Sequence, residues 1–330
     1  MAGNAQDFLF QRIREILPPH ISLVDAVSDI LHVSNDSAYR RIRGETYLVL
    51  DEARLICDHF HLSLDQMFNV KSGSVLFETV RIHNKEYPFE NYLEGIQQQL
   101  QQVSGFLQKE IIYLTKDIPL FHQITFEPYF AFRYFFWMKT ILQHPDFTTS
   151  TFKFDCLPPA VKSLGESIIK SYSAIPSTEI WNSECINSTI FQVEHYKEAG
   201  IFSSGADIRM VYDTVEEAIL HLRNQVEYGC KFLPGENPQL KKNNFKFFQN
   251  RILLGDNTIL VITDHQKSVH INFDVLNYMS TRDESFCKYA FEMMQNVIKK
   301  STLLSMVSEK QRNVFFNIIL SKIQERKRNL

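Results

Sequence analysis

The stretch Ala26-Val27-Ser28-Asp29-Ile30-Leu31-His32-Val33-Ser34-Asn35-Asp36-Ser37-Ala38-Tyr39-Arg40-Arg41-Ile42-Arg43-Gly44 decides how the first seventy residues fold. Leu23, Val27, Ile30 and Leu31 recur at helical spacing behind Ser22, whose hydroxyl suits an N-cap. His32-Val33-Ser34 then interrupts the pattern for too few residues to make a loop. Ser34 is placed to cap a following helix through Arg43, and Gly44 to end it as a left-handed C-cap. Ala38 and Ile42, four apart, keep that helix on a core, while Leu31 and Val33 pin the turn from inside. Asn35, Asp36, Ser37, Tyr39, Arg40 and Arg41 are left on the opposite face. The spacing predicts two helices meeting steeply over a short turn, with small Ala38 at their closest approach.

Working outward, Phe8, Ile13, Ile16 and Leu17 form an amphipathic helix stopped by Pro18 and Pro19. A later helix covers about Leu50 to Phe60, with Ala53, Ile56, Cys57 and Phe60 inward. Ser63 caps a last turn holding Leu64, Met67 and Phe68. Residues 8–68, a fifth of the chain, resemble the lambda-repressor-like, Xre-type helix-turn-helix family. The matching elements are the Leu31-x-Val33-Ser34 turn, the arginine-rich helix end with Gly44, and the close Phe60-His61-Leu62-Ser63-Leu64-Asp65-Gln66-Met67-Phe68. Many members place Gln where Leu23 and Asn35 stand here, so no base preference carries over. The resemblance implies a five-helix domain that binds operator DNA as a dimer, its third helix in the major groove.

That geometry suits DNA because the second helix of such a pair enters the groove while the first crosses the phosphates. Arginine forks match guanine edges and phosphates. By position, Asn35, Ser37, Tyr39 and Arg40 are assigned to base edges, and Arg41, Arg43 and Tyr47 to backbone positioning. The alternative for these arginines is a solvated helix end in favourable contact with the helix dipole. Charge argues against DNA at first sight. The whole chain is at −3, and residues 1–70 hold six arginines, no lysine and ten carboxylates, a formal −4. The answer lies in segregation: Arg40, Arg41 and Arg43 fall within four positions, and an acidic remainder limits binding to arbitrary duplex.

The bulk composition, 44 % hydrophobic and 22 % charged with eleven glycines in 330 residues, is globular and favours helix. The expected fold is mainly α: the N-terminal five-helix domain (1–69), a connector (70–90) marked by Lys71-Ser72-Gly73-Ser74 and Pro88, and a larger helix-rich α+β domain (91–330). Five scattered cysteines without a CxxC pair indicate reduced thiols, hence a cytoplasmic setting. No apolar leader opens the sequence. Ile124–Leu142, the most apolar stretch, contains Glu127, Arg133 and Lys139 and reads as a buried helix, with no membrane partner expected.

From Asn91 to about Leu114, Leu93, Ile96, Leu100, Val103, Leu107 and Leu114 suggest one helix, suited either to a dimeric coiled-coil seam or to a bundle. Further helices are expected near 127–143, 159–173, 186–199, 214–232, 284–300 and 308–326. Runs at Asn244–Leu254, Thr258–Thr263 and Ser268–Phe273, joined by turn residues, predict a small antiparallel meander. The basic end Arg326-Lys327-Arg328 reads as a frayed, solvated helix terminus.

No catalytic constellation emerges, no cofactor is implied, and a non-enzyme is expected. HExxH, GxSxG, P-loop and GxGxxG patterns are absent. His59-x-His61 lacks a third ligand at metal spacing, and Cys287 sits beside Asp283-Glu284, which disfavours a thiolate. Ser203-Ser204-Gly205 is a helix start rather than a phosphate cradle. Tyr129, Phe130, Phe132, Tyr134, Phe135, Phe136 and Trp137 fit a core helix or an apolar ligand pocket. The expectation is a DNA-binding homodimeric regulator whose C-terminal domain serves dimerisation or the sensing of a small-molecule effector. The rivals are a protein-binding adaptor, motivated by the acidic N-terminal balance, and an enzyme with an unrecognised site.

Overall fold

The computed structural model describes residues 5–17, 21–60, 62, 64, 75–79, 88–252, 255–264 and 266–330. The chain divides into two compact units, residues 1–76 and 77–330.

The first unit contains α1 (Ala5–Ile16), α2 (Leu23–Leu31), α3 (Asn35–Ile42) and α4 (Leu50–Phe60). Leu9, Phe10, Ile13, Val27, Ala38, Ile42, Ile56 and Cys57 form its small core. The inward face of α1 differs from expectation: Phe8 is half-exposed, and Leu9 and Phe10, four and three residues before Ile13, are buried with it. Ser22 caps α2 by accepting from the Asp25 N–H, and Ser34 caps α3 by accepting from the Ser37 N–H. Between them His32 is left-handed at φ 52°. The turn is closed by Ser28, whose hydroxyl donates to the Val33 carbonyl at 2.6 Å while the Val33 N–H returns to the Ser28 carbonyl at 3.1 Å. These two bonds offset the roughly 1–2 kcal/mol that a side chain costs in left-handed backbone. Gly44 ends α3 at φ 72°, as a left-handed C-cap does. The stops Pro18 and Pro19, the Ile16 side chain, His61, the turn residues Ser63, Met67 and Phe68, and Lys71–Ser74 lie outside the described residues.

The second unit is helix-rich α+β. Its strands are β1 (Glu78–Thr79), β2 (Lys109–Leu114), β3 (Ser177–Trp181), β4 (Phe245–Gln249), β5 (Thr258–Thr263), β6 (Lys267–Asn272), β7 (Tyr278–Thr281) and β8 (Thr302–Leu303). They pair as one mixed sheet in the order β1-β7-β6-β5-β2-β3-β4-β8. Strands β2, β3 and β4 run parallel, and the remaining pairings are antiparallel. One face carries the large core, with side chains from α5 (Phe89–Ser104), α7 (Glu127–Phe136), α9 (Pro159–Ala174), α10 (Asn187–Glu198), α11 (Gly205–Tyr228) and α13 (Glu309–Arg328). Two short helices, α6 (Leu120–Gln123) and α8 (Pro145–Thr148), join the same face, and a π-helical stretch (Trp137–Ile141) extends α7. A second core, including Ile112, Leu114, Ile180, Leu260 and Val269, is covered by α12 (Glu284–Lys299). No described helix is long and apolar enough to cross a membrane.

Several expectations are corrected. The 91–114 stripe is not one helix: α5 stops at Ser104, and 109–114 is the central strand β2. Buried on both faces, Ile111-Ile112-Tyr113-Leu114 reads as a continuous apolar run, which periodicity alone cannot separate from a helix. Leu93 and Leu100 join the unit's own core, and Gln97 donates to the Ser171 hydroxyl of α9 at 3.1 Å. The stripe is therefore an intramolecular seam and not a coiled coil. The meander is β5-β6-β7, and the 244–254 run is not part of it. Its strand β4 lies across the sheet between β3 and β8, because apolar content does not name a pairing partner. Helix α11 starts nine residues earlier than expected, where the Ser204 hydroxyl accepts from the Asp207 N–H. The basic C-terminus is anchored: Lys327 pairs with Asp213 and, at 2.6 Å, with Glu216, leaving its side chain mostly buried.

Candidate nucleic-acid interface

Helix α3 has one face in the core and one in solvent. Ala38 and Ile42 are buried, whereas Asn35, Asp36, Tyr39, Arg40 and Arg43 are exposed. Asn35 donates to Asp25 of α2 at 3.1 Å, which ties the start of α3 to the preceding helix. Ser37 is half-buried, and its hydroxyl accepts from Ser34 at 3.1 Å, so it belongs to the capping turn. The Arg43 guanidinium lies 4.6 Å from the centre of the Tyr39 ring, one turn back on the same face, a cation–π contact.

The three arginines of this helix differ. Arg41 grips Glu52 of α4 with two bonds, Nε to Oε2 at 3.1 Å and Nη2 to Oε1 at 2.7 Å, and donates to the Ser37 carbonyl. Its side chain is only 17 % exposed, so it braces α3 on α4. Its bond to Glu52 raises the Arg41 pKa against the effect of burial, and the same bond lowers that of Glu52. Arg40 and Arg43 stay in solvent, at 57 % and 58 % exposure. Tyr47, 73 % exposed, stands just beyond, followed by Val49 and by Leu50 at 78 %.

Two features of this face were not apparent in the sequence. The buried Gln6 of α1 donates to the carbonyls of Arg41 (2.6 Å) and Thr46 (2.8 Å) and accepts from the Leu48 N–H (2.9 Å). It thereby fixes the loop carrying Tyr47, through bonds spanning 35 to 42 residues that no local pattern signals. Glu45 places its two carboxylate oxygens 3.9 Å from Arg40 and 3.7 Å from Arg43.

The second unit holds a sealed ionic centre. Glu179 of β3, fully buried, lies 3.0 Å from His122 Nε2 through each oxygen and accepts from Tyr172 at 2.6 Å and Trp181 at 2.7 Å. Burial pushes its carboxyl pKa up, but His122, Tyr172 and Trp181 together outweigh this and hold it below the usual range. Nearby Lys231 donates to the carbonyls of Tyr172 (2.7 Å) and Ile175 (2.5 Å) and is pulled down to about 7 by burial, against the attraction of Glu179. Every side chain from Tyr129 to Met138 is buried, so the aromatic segment belongs to the core. The Cys287 thiol is raised by burial first and Asp283 second. Among the described residues, no three His, Cys, Asp or Glu side chains are grouped to hold a metal ion. No family model, curated protein or solved structure matches the chain.

Proposed function

We propose that this protein is a sequence-specific DNA-binding transcriptional regulator, working as a homodimer, whose first unit is a five-helix lambda-repressor-like domain that sets α3 in the major groove. The observation that carries the reading is the two-sided character of α3. Ala38 and Ile42 anchor it from behind while Asn35, Tyr39, Arg40 and Arg43 stand in solvent on a helix capped at both ends. Asn35, Tyr39 and Arg40 are the proposed base-reading residues, and Arg43 and Tyr47 the backbone contacts, while Ser37 serves the capping turn. Arg41, held by Glu52, acts by orienting the helix. The second unit is the proposed dimerisation and effector-sensing part. In a gel shift on the protein's own upstream DNA, Arg40→Ala weakens specific binding by roughly 1–3 kcal/mol. An unchanged shift would sink the assignment.

One observation favours a second reading, a protein-binding adaptor: Tyr47, Val49 and Leu50 form an exposed apolar run in the same unit. Salt separates the two, since duplex binding falls steeply with log salt and apolar docking does not.

A further inference from the structure

We propose that Glu45 acts as an intramolecular stand-in for a DNA phosphate, occupying Arg40 and Arg43 in the free protein so that duplex must displace it. The inference rests on the DNA-reading function and concerns how that same face is regulated. The left-handed Gly44 turns the chain back over the end of α3. There the Glu45 N–H donates to the Arg40 carbonyl at 2.9 Å, and the Thr46 N–H shares that acceptor at 3.3 Å. This anchoring holds Glu45 over the last turn, with one oxygen toward each guanidinium. The separations, 3.9 and 3.7 Å, exceed hydrogen-bond length, and all three side chains are at least half exposed. Such pairs are soft and screened by salt.

Softness suits a competitor. A firm, buried pair like Arg41–Glu52 never releases its arginine, whereas one carboxylate shared by two solvated guanidiniums exchanges readily for a phosphate. Arbitrary duplex offers phosphates and little else, so it gains little by replacing one anion with another. An operator adds base-edge contacts that Glu45 cannot mimic. The Tyr39 ring keeps Arg43 in position whichever anion is present. Glu45 thus lowers the baseline affinity for arbitrary DNA without removing the reading residues.

The test compares the full-length wild type, Glu45→Gln, and Asp29→Asn as a control. Asp29 is exposed on α2 and makes no ion pair among the described residues. Binding to a short random-sequence duplex is followed by fluorescence anisotropy across a salt series, alongside elution from heparin. Glu45→Gln should bind random duplex roughly three- to tenfold tighter, with the slope of log K against log salt steeper by about one. It should also elute later from heparin, while Asp29→Asn shifts affinity less than about twofold. Equal effects of the two variants would show that net charge alone acts, and would overturn the proposal, as would no effect of Glu45→Gln. If neither wild type nor Glu45→Gln binds duplex at low salt, the DNA reading fails. In that case later heparin elution of Glu45→Gln alone leaves the carboxylate competing against another polyanion, and unchanged elution removes that role as well.

Discussion

Arg41 shows how one residue's role turns on a partner eleven positions away. In sequence it is one of three neighbouring arginines, but two charge-assisted bonds to Glu52 make it a brace, and Glu52 also accepts from the Val49 N–H at 3.3 Å, the start of α4. Arg41→Ala should destabilise the first unit by roughly 1–3 kcal/mol, since it takes both guanidinium donors from a half-buried carboxylate. The sign of the pH dependence follows from Glu52. Its folded pKa is below the ordinary 4.5, so the contribution is full above the unfolded value and is lost as pH falls through the folded one. Thermal melts of wild type and Arg41→Ala should therefore converge as the pH falls below the ordinary 4.5. A gap that stays constant over that range would show that the ion pair is not its source.

At the scale of elements, the contact of α9 with α7 depends on a residue without a side chain. A Cβ on Gly165 would stand 2.8 Å from Cε1 of Phe130, which is itself buried. Alanine is the better helix former by about 1 kcal/mol, so propensity alone predicts stabilisation by Gly165→Ala. Overpacking of a filled core costs about 1–3 kcal/mol and should prevail. The urea midpoint is therefore expected to fall, and a rise would show that the Phe130 ring gives way. Helices with a polar face, such as α2, α12 and α13, were legible from their spacing, and α2 also from its cap at Ser22. Strand β2 was not, because a run buried on both faces carries no alternation and its apolar residues continue the stripe of α5.

For the whole molecule, the second unit is built around charges that a sequence would assign to the surface. Lys231 is nearly fully buried, and its folded pKa of about 7 lies below the ordinary 10.5. Between those values the unfolded chain binds more protons than the folded one, so this lysine makes stability rise with pH. Below about pH 7 its full burial penalty applies. Wild type should gain stability relative to Lys231→Met from pH 7 to about pH 8.5, measured as the difference between their denaturant midpoints. A difference independent of pH would mean that the buried amine stays protonated over that range, as it does in the unfolded chain. The Glu179 centre was equally hidden: its partners His122, Tyr172 and Trp181 come from three elements, and their convergence is a property of the sheet and its covering helices.

What the amino-acid order settled by itself was local: the caps at Ser22, Ser34 and Gly44, the short turn between α2 and α3, and the inward pair Ala38 and Ile42. Each is decided within about one helical turn, where a side chain reaches only its own neighbours. Tertiary structure alone decided that β5 and β2 lie at the centre of the sheet, that β4 joins β3, that Gln6 clamps the Tyr47 loop, and which arginines of α3 are left in solvent. Those outcomes depend on groups tens of residues apart meeting in a folded core, and the spacing along a chain does not encode such meetings.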